Sequence, residues 1–404
     1  MNKIEFYKET EFKETPIGTL PKDWNVVKLG DNRVASLVKS GSTPLKNRSD
    51  YWNGTIPFVT IGDMTKTEKY LYDTESKITE SAIKNSSTFL VPENCILLSM
   101  YGTIGKVVIN KVPAAISQNI AAIVLNRENT YEEFLHYALK HYSFQFKGAK
   151  IITLKHLDMW IVKSTKIPLP PVLEQMAIAE VLSVVDLAIQ KTDEVIAKTE
   201  RLKKGLMQEL LTKGIGHKEF KDTEIGRIPK DWKVTKLGDI TLLKNGERPE
   251  LSEDGPFPVY GANGIMGYSQ NYLVDNDFTL VIGRVGASGE IHLGQGRIWI
   301  SDNAIYSESY HKSEIYPPYL LYLLKSKKLA QFASKTTHPI ITQTFLKNLL
   351  IQLPELTEQQ KIADILSTVD KKLEIERNEK ARLERIKQGL MYLLLTGKIR
   401  VKVD

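Results

Sequence analysis

The sequence predicts an α+β protein: two similar globular α/β domains separated by two long helices packed as an antiparallel coiled coil, with approximate twofold symmetry inside one chain. Three observations predict it. An entry phrase, IGTLPKDWNVVKLGD from Ile17, returns as IGRIPKDWKVTKLGD from Ile225, identical at 11 of 15 positions. A second block, IPLPPVLEQMAIAEVLSVVD from Ile167, returns as IQLPELTEQQKIADILSTVD from Ile351 and stays in register to Ile215 and Ile399, identical at 22 of 49 positions. Between the blocks, short strand-like runs alternate with glycine-rich turns in both halves.

Length agrees with a doubled unit. A chain of 404 residues exceeds one ordinary core, which stops growing at about 250 to 300 residues. The two copies are offset by 208 residues in the first block and 184 in the second, so the first intervening segment is the longer. The expected domains are 1–166 and 216–350, with helices in 167–215 and 351–404.

Each domain opens on the repeated entry phrase, Glu11–Asp31 or Glu219–Asp239. Strand-like runs follow: TIPFVTIG, NCILLSMYGTIGKVVI and NIAAIVL in the first half, PFPVYGANGIMGY, DFTLVIGRVGASGEIHL and RIWISDNAIY in the second. TYEEFLHYALK and PPYLLYLLKSKKLAQFA read as helices closing the two domains.

The long helices follow from spacing. Ile178, Leu182, Val185, Ile189, Thr192, Ile196 and Thr199 recur at steps of four and three, one seam of a helix. Ile362, Leu366, Val369 and Leu373 repeat the opening of that seam, and Leu383, Leu390 and Leu394 continue it. Pro168, Pro170, Pro171 and Pro354 stand before the helices, where they break nothing, and glycines follow them. From Leu173 to Lys213 the first helix would run about 60 Å at about 1.5 Å per residue. Two narrow apolar stripes bury most simply against each other. A domain of about 135 residues, about 30 to 40 Å across, does not easily bridge that length, so connectivity favours antiparallel helices.

Composition narrows the function. Net charge is +7; Ile17–Lys166 carries 19 basic and 13 acidic residues, Lys218–Lys347 carries 16 and 15. A polyanion partner is permitted, and phosphate charge would steer towards the first half. No apolar run is long enough to span a bilayer, and the N-terminal MNKIEFYKETEF lacks a signal peptide's apolar middle, so no membrane association and a cytoplasmic location are expected. The single cysteine, Cys95 in NCILLS, reads as a buried hydrophobe.

Catalytic motifs are missing from the sequence. GTIGK at Gly102 is too short for a phosphate loop, and GRVGASG at Gly283 fits no dinucleotide fingerprint; both read as hairpin turns. His136 and His141 are five apart with no H-E-x-x-H, so no metal site is expected. No G-x-S-x-G elbow appears, nor an Asn or Asp before Pro-Pro-aromatic. Two large domains without such a constellation point to binding.

Polar and basic residues gather on the turns instead. In the first domain these are Lys39, Ser42, Thr43, Lys46 and Arg48, then Tyr101, Thr103 and Lys106, then Gln118 and Asn119. In the second they are Lys244 and Arg248, Arg284 and Ser288, Asp302 and Asn303, and Gln343 and Thr344. Such side chains read base edges and hold phosphates, which makes them candidate DNA-binding residues; solvated loops of ordinary composition are the plain alternative.

The paired phrases PKDWNVVKLGD and PKDWKVTKLGD, with IPLPPVLEQMAIAEVL and IQLPELTEQQKIADIL opening helices that end in GLMQELLT and GLMYLLLT, resemble the specificity (S) subunit of type I restriction-modification enzymes. The resemblance covers essentially the whole chain. It implies two target recognition domains, each reading one half of a bipartite double-stranded DNA sequence, with the helices as spacer. It also implies a non-catalytic subunit with no cofactor of its own. Two methyltransferase (M) subunits would bring S-adenosylmethionine, and restriction (R) subunits would bring ATP and magnesium. A protein-binding scaffold and a magnesium-dependent nuclease using carboxylates such as Asp302 are the competing classes.

Overall fold

The computed structural model describes residues 5–143, 145, 156–311, 313–334 and 340–402. The chain divides into two compact units, Met1–Lys191 with Lys380–Asp404, and Thr192–Glu379. Each unit therefore holds one domain, the beginning of one long helix and the end of the other.

In the first unit the central sheet has five strands in the order Ala35–Ser40, Ile120–Leu125, Ile96–Ser99, Val107–Asn110 and Tyr70–Leu71. A smaller sheet orders Ser76–Ile78, Trp52–Val59, Ala114–Ile116 and Leu90–Val91. The central strands are apolar on both faces because both are covered. Ile96, Leu98, Val107 and Ile109 pack with Leu135 and Leu139 of the helix Glu132–His141 and with Ile161 and Val162 of the helix Met159–Ser164. Leu97, Val108 and Ala122, on the other face, pack with Val59, Ala114 and Ile116 of the small sheet. Cys95 lies in that layer, where burial pushes its thiol up to about 11. His136 is buried in the helix Glu132–His141, and burial pushes its imidazole well below the usual range.

The second unit has a six-stranded sheet ordered Thr241–Asn245, Ala304–Tyr310, Val274–Gly283, Ile291–Ile300, Phe257–Gly261 and Gly264–Ser269. Leu280 and Ile282 face Leu320 and Leu323 of the helix Pro317–Ser326. Val281, Ile298 and Ile300 fill the opposite layer.

The entry phrase and the second repeated block meet in each unit. Strand Asn25–Lys28 pairs antiparallel with Lys166–Leu169, and Lys233–Lys236 pairs with Leu350–Leu353. The indole of Trp24 donates to Glu174 at 3.1 Å, and that of Trp232 donates to Glu358 at 2.9 Å. Gln175 accepts from the Tyr131 N–H at 2.9 Å and donates to the Asn129 and Pro170 carbonyls; Gln359 does the same with Tyr316, Glu314 and Pro354. These bonds seat each helix start on its own domain.

The long helices are Val172–Lys213 and Leu356–Leu395. In the first unit Ile178 and Leu182, near the start of one, share a cluster with Leu394 and Leu395 at the end of the other. In the second unit Ile362 and Leu366 share a cluster with Leu210 and Leu211. Start against end is antiparallel packing in both. Along the expected seam Ile178, Leu182, Ile362, Leu366 and Leu373 are buried, while Val185, Ile189 and Val369 are half-buried. No described helix is long and apolar enough to cross a membrane.

Candidate nucleic-acid interface

The turns singled out in the sequence come together because the sheet register brings them together. In the first domain Gly41 N–H donates to Ile120 O at 3.0 Å and Ser42 N–H to Ile116 O at 3.1 Å. In the second, Gly246 N–H donates to Ala304 O at 3.0 Å and Glu247 N–H to Ile300 O at 2.9 Å. The loop after each first sheet strand is thus laid on the turn Ser117–Asn119 or Ser301–Asn303. The approach is so close that a Cβ on Gly41 would lie 2.1 Å from Ile116 O, and one on Gly246 would lie 2.2 Å from Ser301 O. Only glycine fits either place.

Two further segments join them. Met100 N–H donates to Asn119 O at 2.9 Å and Arg284 N–H to Asn303 O at 2.8 Å, which brings in the hairpin turns. Leu157 N–H donates to Met100 O at 2.7 Å and Ile341 N–H to Arg284 O at 3.0 Å, which brings in the short helices Met159–Ser164 and Gln343–Asn348. The four segments form the same framework in each domain. Between Val59 and Met100 the first domain inserts the helix Ile61–Lys66 and further strands; between Tyr260 and Arg284 the second turns back through a hairpin at Gly261–Gly264.

Side chains on this framework differ. In the first domain Thr43, Lys46, Gln118 and Asn119 line one cleft of about 630 Å3, together with Trp52, Phe58, Thr60 and Ser117. Lys39 is exposed, its ammonium 4.5 Å over the Phe89 ring. Ser42 is half-buried and its carbonyl accepts from Thr88 Oγ1 at 3.1 Å. Arg48 forks onto Asp50 through two bonds of 2.8 Å and lies 4.7 Å over Tyr51, so most of its charge is locally balanced. Tyr101 and Thr103 are exposed, with Thr103 Oγ1 3.1 Å from Thr65 Oγ1, and Lys106 is half-buried. Lys39, Lys46 and Lys106 make no ion pair among the described residues, which leaves this surface positive.

The second domain presents a more acidic surface. Lys244 pairs with Glu308 at 2.5 Å. Arg248 is exposed beside Glu247 and Glu250, and Asp302 and Asn303 are exposed at their turn. Arg284 is half-buried, and Ser288 is buried with its hydroxyl donating to the Arg284 carbonyl at 2.9 Å. Ser288 thus closes the turn from inside. Gln343 likewise spends its amide on the Leu243 carbonyl, fastening its short helix to the sheet. Thr344 is exposed and lines a cleft of about 540 Å3 with Phe332, Phe345 and Asn348.

Sequence reasoning passed over Trp52, Ser117 and Trp160. Trp160 leads the short helix of the first domain and is 63% exposed. An aromatic beside a basic, hydroxyl-rich loop is a signal for nucleic-acid contact that would have found Trp52. Among the described residues no group of three or more His, Cys, Asp or Glu side chains could hold a metal ion.

Residues 21–201 and 229–385 match the family model described as type I restriction modification DNA specificity domain. The MjaVIII type I restriction enzyme specificity subunit of Methanocaldococcus jannaschii is 32% identical over 99% of this chain and 98% of its own length. The putative MjaX specificity subunit of the same organism is 30% identical over 99% of each. Among solved structures, the type I restriction-modification S subunit from M. genitalium matches with a TM-score of 0.63 at 19% identity, over 94% of this chain and 99% of that one.

Proposed function

This chain belongs to the type I restriction-modification DNA specificity family, and from that premise we propose that its two domains read two different half-sites of one bipartite target. The chain is a non-catalytic DNA-recognition subunit of a restriction-modification complex. One observation carries the finer reading: the four-segment framework is the same in both domains, bond for bond, while the side chains mounted on it differ in charge and shape. Equal frameworks present equal surfaces to a duplex, and unlike side chains on them select unlike bases. The target is then asymmetric.

The reading surfaces in this proposal are Lys39, Thr43, Lys46, Gln118 and Asn119, with Tyr101, Thr103 and Lys106, in the first domain, and Arg248, Asp302, Asn303 and Thr344 in the second. Lys39, Lys46 and Lys106 supply phosphate contacts, and the amides and carboxylates face base edges. The helices set the unread gap between half-sites and dock two methyltransferase subunits, which use S-adenosylmethionine; restriction subunits use ATP and magnesium. Docking is supported by Leu173, Met176, Val184 and Leu187, an exposed apolar stripe along the first helix that no seam residue covers.

Mapping methylated adenines in DNA from cells carrying the complex tests the proposal. Two dissimilar half-sites at fixed spacing are expected. Exchange of Asp31–Lys166 for another domain should rewrite one half-site and leave the other; a change in both would refute the division of labour.

A further inference from the structure

The cleft of the first domain is built for more than the edge of a base pair. Its volume of about 630 Å3 falls within the range of about 300 to 1,000 Å3 typical of small-molecule sites. One wall is aromatic and fixed: the Trp52 indole N–H donates to Leu45 O at 3.1 Å, and the ring meets Phe58 edge-on, centroids 5.4 Å apart at 88°. Gln118 and Asn119 supply amides, and Lys46 supplies a cation.

Ser117 adds an independent sign. It is 8% exposed, it lines the cleft, and its hydroxyl meets no hydrogen-bond partner among the described residues. The serine in the same place in the second domain, Ser301, accepts the Asn303 N–H at 3.3 Å, and the chain there turns through the Gly261–Gly264 hairpin. A buried hydroxyl without a partner is rare, because desolvation without compensation is costly, and one in the wall of a cleft is satisfied most simply by a ligand.

We propose that this cleft is a nucleobase pocket, taking a purine with its face against Trp52, its polar edge on Ser117 and Gln118, and its phosphate towards Lys46. The assignment rests on the reading of this surface as a DNA interface. A stacked base pair offers a groove only its edge, whereas a base whose face lies on an indole has left the stack. The purine therefore comes from a base swung out of the duplex or from a free nucleotide.

Two measurements test the pocket and separate these sources. The complex with its methyltransferase subunits is bound to duplexes carrying 2-aminopurine at successive positions of the first domain's half-site. A fluorescence rise is expected at one position other than the methylated adenines, whose own signal serves as internal control. In Ser117→Ala that rise should fall at least tenfold while the control signal stays, and the melting temperature should hold or increase, since an orphaned hydroxyl has been removed. Adenosine 5′-monophosphate is titrated into the full chain, with Trp52→Phe identifying the quenched indole. Saturable binding lost in Ser117→Ala, with no position brightening, assigns the pocket to a free nucleotide. A duplex bound specifically, with no position brightening and no nucleotide binding, overturns the pocket alone. Absence of sequence-specific binding by the complex overturns the reading beneath it.

Discussion

Lys387 Nζ lies 2.5 Å from Asp186 Oδ1, joining the end of the second long helix to the beginning of the first. Lys203 and Asp370 make the same 2.5 Å pair in the second unit, with the helices exchanging roles. Tyr137 donates to Asp186 at 2.5 Å and Tyr322 to Asp370 at 2.9 Å, so each carboxylate holds both the partner helix and its own domain. Asp186→Ala would strand the mostly shielded Lys387 and cost Tyr137 one of its bonds, leaving that hydroxyl to Lys69 and Ser183. The expected cost is about 1 to 3 kcal/mol, read as a lower melting temperature. Exchanging the pair, Asp186→Lys with Lys387→Asp, should recover part of the ion pair but not the Tyr137 bond, giving an intermediate value.

Gly41→Ala forces a methyl to within 2.1 Å of Ile116 O, and the loop carrying Thr43 and Lys46 must lift. A strain of about 1 to 3 kcal/mol is expected, small against the fold because the loop is peripheral. Methylation mapping should show degraded discrimination in the first half-site and an intact second one. Gly246→Ala should give the reverse pattern.

Salt dependence should follow the ion pairing of the folded chain. Lys46→Ala, which removes a lysine without an ion partner, should lower the slope of log affinity against log salt by about one. Lys244→Ala should lower it less, since Glu308 already holds that ammonium. Arg48, forked onto Asp50, should behave like Lys244. Filter binding across a salt series reads all three.

Arg400 gathers Glu174, Asp23 and Glu9 around one buried guanidinium. Arg400→Met would leave carboxylates facing one another, at an expected cost of about 3 to 5 kcal/mol. Hydrogen bonds from the Glu11 N–H and from Arg400 hold the Glu9 carboxyl down to about 2, against its usual 4.5. A depressed carboxylate stabilises the fold above its unfolded value and loses that contribution as pH falls through the folded one. The melting temperatures of the wild type and Glu9→Gln should therefore differ at neutral pH and converge between about pH 4.5 and about pH 2.

Removing one heptad from each helix, Thr192–Lys198 and Glu376–Arg382, keeps both seams in phase. Shortening the gap in the methylated sequence is the expected outcome, with both half-sites unchanged. Altered half-sites at the old spacing would contradict a spacer role.

Much of this was legible in the chain. Repetition located two domains and two helices, four-and-three spacing located the seam from Ile178 to Ile189, and connectivity chose its antiparallel sense. Glycines flagged the hairpin turns at Gly102 and Gly283. What stayed illegible is a side chain's direction, which depends on distant chain. Ser288 and Gln343 have the composition of readers, yet they bond to the Arg284 and Leu243 carbonyls inside the domain. Lys244 has the charge for a phosphate, yet strand register sets it beside Glu308.

By itself the sequence determined the doubled unit, the helical seam and the absence of catalytic motifs, because periodicity and repetition are properties of neighbours along the chain. Only the tertiary structure decided which cations stay unpaired, why Gly41 and Gly246 admit no side chain, and that Trp52, Ser117 and Gln118 enclose one cleft. Those outcomes depend on ångström-scale approach between segments far apart in sequence, and that distance is fixed only when the sheets close.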